Sequence, residues 1–118
     1  MKRIILKSKI HGAIVTNTNI NYEGSLTLDE TIMLAANLIP FEQVQIYNIS
    51  NGERFTTYLI KGKKDTGEVC LNGAAARKGS IGDKLIIASY TLIDENEIDS
   101  FHPKIVIVEK NNKIKEIK

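Results

Sequence analysis

Val44-Gln45-Ile46-Tyr47-Asn48-Ile49-Ser50-Asn51-Gly52-Glu53-Arg54-Phe55-Thr56-Thr57-Tyr58-Leu59-Ile60-Lys61 reads as a β-hairpin. Both arms are rich in β-branched and aromatic residues, and Asn51-Gly52 can hold positive φ at the two central positions of a type I′ turn. The arms are expected over Val44–Ser50 and Arg54–Lys61. The same rhythm of short apolar runs broken by turn residues continues in both directions. It predicts further strands at Arg3–Leu6, Ile10–Thr16, Glu68–Leu71, Leu85–Tyr90 and Ile105–Glu109. One stretch breaks it. Leu28, Ile32, Ala35, Ala36 and Ile39 form an apolar stripe at helical spacing, Thr27 and Glu30 make a capping-box pair, and Pro40 is placed to stop the helix. The spacing therefore predicts a helix over 27–39, with a short helical turn near 74–78. The charged tail from Lys110 to Lys118 is expected to be loosely held. The fold class that follows is mainly β, a small barrel with one clear helix.

Composition narrows the function. With 118 residues the chain has room for a single domain, 1–118, and about two-thirds of its unfolded surface can be buried without metal or disulfide. Sixteen basic against fourteen acidic residues leave a net charge of +2, with no basic cluster to suggest nucleic acid. The lone Cys70 fits a reducing cytoplasmic setting, and no apolar run suggests a secretory signal or a membrane span. His11 and His102 have no second ligand at zinc spacing, which argues against a metal. Neither a phosphate-binding glycine loop nor a nucleophile elbow is present.

Tyr22-Glu23-Gly24-Ser25 admits two readings. One is a loop glycine followed by a serine near a helix start, both ordinary there. The other is a self-cleaving bond: the serine hydroxyl attacks the unhindered glycine carbonyl, and elimination and hydrolysis leave a pyruvoyl group at residue 25.

The chain resembles the pyruvoyl-dependent aspartate α-decarboxylases, which make β-alanine for pantothenate. The resemblance is carried by Lys9-Ile10-His11, Val15-Thr16, Tyr22-Glu23-Gly24-Ser25, Asn51-Gly52 through Tyr58, Asn72-Gly73-Ala74-Ala75-Ala76, Gly82-Asp83 through Ser89, and His102-Pro103-Lys104. Gly12 departs from the pattern, since many members have arginine there.

The resemblance implies a double-psi β-barrel, autocatalytic cleavage of Gly24–Ser25 into chains 1–24 and 25–118, and a covalent pyruvoyl cofactor in place of metal or pyridoxal phosphate. That ketone forms a Schiff base with L-aspartate and takes up electrons as carbon dioxide leaves. Arg54 then anchors a substrate carboxylate through its planar fork. Tyr58 returns the proton, its phenol O–H serving as the donor. Thr57 assists processing and touches substrate. Asn72, Gly73, Ala74 and Ala75 offer small side chains and free backbone N–H groups. Lys9, His11 and Tyr22 stand near the site.

Each residue also has a plainer reading: a solvated arginine beside a turn, a half-buried strand tyrosine, a threonine of good β propensity, a surface lysine, a structural histidine. In a regular strand Arg54 and Tyr58 share a face about 13 Å apart and Thr57 points the other way. One site can use all three only if the strand bulges or a neighbouring subunit contributes, and the resemblance implies a homotetramer with shared sites. Any need for a maturation helper is unknown from these residues. The rival class is a non-catalytic barrel module such as a DNA-binding regulator; a closer chemical rival is a pyruvoyl enzyme for another amino acid.

Overall fold

The computed structural model describes residues 1–118. It is mainly β, as expected. Nine strands, β1 (Lys2–Ile14), β2 (Asn17–Asn19), β3 (Ser25–Asp29), β4 (Gln43–Asn48), β5 (Arg54–Gly62), β6 (Val69–Asn72), β7 (Lys84–Asp94), β8 (Lys104–Glu109) and β9 (Lys113–Ile117), pair in the order β2-β6-β3-β5-β4-β7-β1-β8-β9. Most pairs are antiparallel, but β3 with β5, β2 with β6 and β1 with β8 run parallel. The chain therefore crosses over the barrel rather than meandering around it. Beyond β1, Thr16 N–H bonds Val69 O at 2.8 Å, and Val69 N–H bonds Thr16 Oγ1 at 2.9 Å, which joins β1 to β6 near the far end of the order. Buried Asn112 adds a second tie. Its side chain accepts from Ile14 N–H and donates to the carbonyls of Ile14 and Gly67. Alternate residues of the strands, among them Ile10, Leu26, Ile46, Leu59, Leu71 and Leu85, fill the interior and are wholly buried.

Several local expectations change. The two amino-terminal strands are one, β1, bent by register shifts between Leu6 and Ser8 and between His11 and Ala13, the second at Gly12. The hairpin turn is not the two-residue I′ type. Asn48 N–H bonds Glu53 O across a four-residue loop, and only Gly52 has positive φ (+79°). The helix α1 covers only Glu30–Ala35. Residues 25–29 are strand because Leu26 and Leu28 gain full burial and two ladder partners between β5 and β6, which outweighs helix periodicity. The cap is consequently Asp29, whose carboxylate accepts from Thr31 N–H, while Thr27 lies inside β3. The stop is Asn37, left-handed at φ 57°, with Leu38 N–H bonded to Met33 O and Asn37 N–H to Leu34 O, so Pro40 comes too late to act. Ile39, expected on the buried stripe, is exposed. The short turn near 74–78 is present as a 3₁₀ helix, Gly73–Arg77. The carboxyl-terminal tail is not loose: β9 pairs with β8. No helix is long and apolar enough to cross a membrane.

The turn after α1 is pinned by charge. Lys7 Nζ donates to Asn37 O (2.6 Å) and Glu42 Oε2 (2.7 Å), and the Ser89 hydroxyl donates to the same Oε2 at 2.6 Å. Burial pushes the Glu42 carboxyl up, but hydrogen bonds from Lys7, Ser89 and Ile39 N–H, together with the Lys7 charge, outweigh it and hold it below the usual range. A carboxylate lowered on folding stabilises the fold above the ordinary carboxylate range, and that contribution is lost as pH falls through the lowered value. The melting temperatures of wild type and Glu42→Gln should therefore differ most near neutral pH and converge below about pH 4. A constant gap across that range would contradict the assignment.

Candidate active site

Two short strands build the centre. β3 and β6 run antiparallel with Ser25 opposite Asn72, Leu26 opposite Leu71, Thr27 opposite Cys70 and Leu28 opposite Val69. Because strand faces alternate, the leucines and valine enter the core while Ser25, Thr27, Cys70 and Asn72 share the other face. That face is polar and still covered: Ser25 has no exposed surface, and Asn72 and Cys70 are buried.

Its hydrogen bonds form one connected set. The Ser25 hydroxyl donates back to Glu23 O at 3.2 Å and accepts from Asn72 Nδ2 at 3.0 Å. Nδ2 also donates to Thr27 Oγ1 at 2.8 Å, and the Cys70 thiol donates to Asn72 Oδ1 at 3.2 Å. Burial, with the nearby Glu68 charge, pushes the Cys70 thiol up, so it remains a protonated donor.

Gly24 is clasped by the 3₁₀ turn that follows β6. Gly73 has φ +60°, and a Cβ there would fall 2.6 Å from Gly24 N, 2.7 Å from Gly24 Cα and 2.7 Å from Tyr22 O. Gly24 itself is open, its nearest neighbour to an added Cβ being Ala74 N at 3.9 Å. Beside it lies a cleft of about 320 Å³ lined by Gly24, Thr57, Tyr58, Ala74, Ala75 and Lys78, among others. Five residues singled out in the sequence thus meet in one place. Tyr58 is braced from outside by Phe41, whose ring stacks on it at 6.2 Å and 29°. The Tyr22 side chain is half-exposed and lines a separate cleft of about 410 Å³ that reaches Thr27, Cys70 and Asn72 from behind.

Arg54, Lys9 and His11 are not brought to this cleft. The register of β5 against β4 is unbroken from Tyr58 to Arg54, so no bulge turns Arg54 towards Thr57. Arg54, Tyr47, Ile86 and His11 instead form a row across four strands on the outer face, and Thr56, Gln45, Ala88 and Lys9 form the next. The Arg54 guanidinium lies 3.8 Å from the centre of the Tyr47 ring, a cation–π contact, and the Tyr47 and Tyr90 hydroxyls bond at 2.8 Å. The Tyr90 phenol is raised by that bond first and by burial second, with Arg54 opposing. The one cation lining the Gly24 cleft, Lys78, is paired with Glu53 at 3.0 Å.

Thr27, Cys70, Phe41 and Tyr47 are site neighbours that the sequence reading did not pick out. Thr27 had a visible signal, the polar–apolar alternation Ser25-Leu26-Thr27-Leu28, masked by its spacing from Glu30. Phe41 had none, because its contact with Tyr58 depends on a left-handed backbone at φ 70°.

A buried serine hydroxyl turned back along its own peptide, beside an uncrowded glycine and a cleft of small residues, is suited to attack on that peptide and to holding a compact acyl group. A family model described as aspartate decarboxylase matches residues 1–115. Curated proteins named aspartate 1-decarboxylase align over almost the whole chain. That of Syntrophus aciditrophicus is 54% identical, covering 98% of this chain and 99% of its own length. That of Thermoanaerobacter pseudethanolicus is 50% identical over 96% and 97%, and that of Ralstonia nicotianae 49% identical over 100% and 98%. With its Gly24–Ser25 centre and a match from end to end, the chain belongs to the aspartate decarboxylase family.

Proposed function

We propose that this chain cuts its own Gly24–Ser25 bond to give chains 1–24 and 25–118, and that the resulting pyruvoyl group serves the decarboxylation of L-aspartate to β-alanine and carbon dioxide for pantothenate synthesis in the cytoplasm. The observation that carries this is the Ser25 hydroxyl, fully buried, held between Glu23 O and Asn72 Nδ2 and directly following Gly24, whose Cα is uncrowded. Ser25 Oγ adds to the Gly24 carbonyl carbon, its proton passes to the Ser25 nitrogen, and the C–N bond breaks to leave an ester. Loss of the residue-25 Cα proton then breaks Cβ–Oγ, and Oγ leaves with the Gly24 carboxylate. Water hydrolyses the remaining aminoacrylate, releasing ammonia. Thr57 lies beside Gly24 to steady the first addition, and Ala74 and Ala75 line the same cleft.

The ketone so formed supplies the electron sink for departure of carbon dioxide. The chain's own residues do the rest. Tyr58 returns a proton to the carbon that lost the carboxylate, and Arg54 holds the remaining carboxylate in two-point fashion, with Lys9 adding positive charge and His11 beside it. Because Arg54, Lys9 and His11 do not line the Gly24 cleft, a second copy of the chain brings them, as in a homotetramer with sites between subunits.

Intact-mass measurement should find fragments 1–24 and 25–118, and borohydride with aspartate should trap an adduct on the larger. Co-expressing Ser25→Ala with Arg54→Ala, each inactive alone, should restore up to about a quarter of the sites, because random mixing places both native halves together that often. No recovery in mixed oligomers would mean that each site belongs to one chain.

A further inference from the structure

We infer that Thr27 and Cys70 are positioning residues for self-cleavage: together they lock the Asn72 amide so that it donates to Ser25 Oγ rather than accepting from it. This rests on the self-processing reading above. A carboxamide can be turned either way, and each way suits a different serine. With the oxygen towards Ser25, Asn72 would draw the hydroxyl proton to itself. With the nitrogen towards Ser25, the hydroxyl is free to donate to Glu23 O, as it does at 3.2 Å, which keeps Oγ folded back along the peptide it attacks. Two contacts select the second orientation. Thr27 Oγ1 accepts the other Nδ2 hydrogen at 2.8 Å, and the Cys70 thiol donates to Oδ1 at 3.2 Å. Both N–H groups and the carbonyl of the buried amide are then satisfied, whereas turning it over would make Oδ1 accept from both hydroxyls, drawing the Ser25 proton away from Glu23 O, and would set Nδ2 against a thiol held protonated.

The chemical use of that orientation comes in the second half of processing. An N–H on a neutral hydroxyl does nothing for its attack. Once the ester has formed, the Cβ–Oγ bond breaks and its electron pair goes to Oγ, which becomes a carboxylate oxygen of Gly24. A fixed N–H at Oγ stabilises that developing charge without reorganisation. The register supplies the alignment: Thr27 faces Cys70 and Ser25 faces Asn72 on one face of the β3–β6 pair.

The test follows processing of freshly made full-length chain by intact mass, with and without hydroxylamine, which cuts esters. Thr27→Val removes the acceptor at constant shape and should slow the appearance of pyruvoyl chain 25–118 by about fivefold to tenfold, the worth of one hydrogen bond. An ester should accumulate, releasing with hydroxylamine a 25–118 chain that begins with serine. Thr27→Ser, which keeps the hydroxyl, should process at the wild-type rate. Wild-type rates in Thr27→Val, slowing without a hydroxylamine-labile species, or equal slowing in Thr27→Ser would each overturn the inference. Should Thr27→Val fail to fold, Cys70→Val against Cys70→Ser decides by the same criteria. Failure of the wild type itself to split would refute self-processing instead, so the two ideas fall separately.

Discussion

Ser25→Ala is expected to remain one uncut chain of 118 residues and to release no carbon dioxide from aspartate. The variant loses the buried hydroxyl held between Glu23 O and Asn72 Nδ2 next to Gly24, and with it both the proposed nucleophile and the oxygen whose departure would open the way to the ketone. Its fold should survive. The methyl fits the same buried position, and the cost is one Asn72 N–H left without its acceptor, about 1–3 kcal/mol. The loss is thus one of chemistry, and circular dichroism with a cooperative melt will show the fold intact while denaturing electrophoresis shows a single band. Splitting at residue 24 in this variant would mean that some other group attacks, and the assignment of Ser25 would be wrong.

Gly73→Ala should be nearly as severe by a different route. Its Cβ would lie 2.6–2.7 Å from backbone atoms of Gly24 and Tyr22, which cannot swing aside as a flexible side chain would, and its φ of +60° disfavours alanine in any case. Overpacking plus backbone strain predicts about 2–4 kcal/mol of destabilisation. Relief is cheapest by pushing Gly24 away, and a displacement of about 1 Å from the attack geometry can slow a reaction a hundredfold. Cleavage should therefore fall by at least about that factor in whatever fraction stays folded. Gly82→Ala is the control: its φ is +95°, but nothing lies within 4 Å of an added Cβ, so it should lose some stability and cleave normally. Equal cleavage in the two variants would show that the Gly73–Gly24 approach has no part in processing.

Much of the site was legible before any fold was known, because its chemistry is written in adjacent residues. Gly24-Ser25 sets the proposed scissile bond and the hydroxyl proposed to attack it side by side, and Asn72-Gly73-Ala74-Ala75 names a small-residue turn, found as the 3₁₀ helix. The element that misled was β3. Thr27, Glu30 and the stripe from Leu28 onward satisfy helical spacing, yet a strand of five residues with partners on both sides buries Leu26 and Leu28 completely. Local periodicity cannot see those partners, which arrive from β5 and β6 more than thirty residues later in the chain. The same blindness hid the Thr27–Asn72–Cys70 set, whose members are neighbours only across the β3–β6 ladder.

What the residues alone determined was the set of groups available: a serine hydroxyl directly after a glycine, a phenol, a guanidinium, and strands of alternating polarity able to enclose them. What only the tertiary structure decided was company. It put Thr57 and Tyr58 beside Gly24, left Arg54, Lys9 and His11 outside that cleft, and set the Asn72 amide against Ser25. Side-chain identity fixes which reactions a residue can perform, but strand register fixes which residues meet, and register is settled by contacts spread along the whole chain.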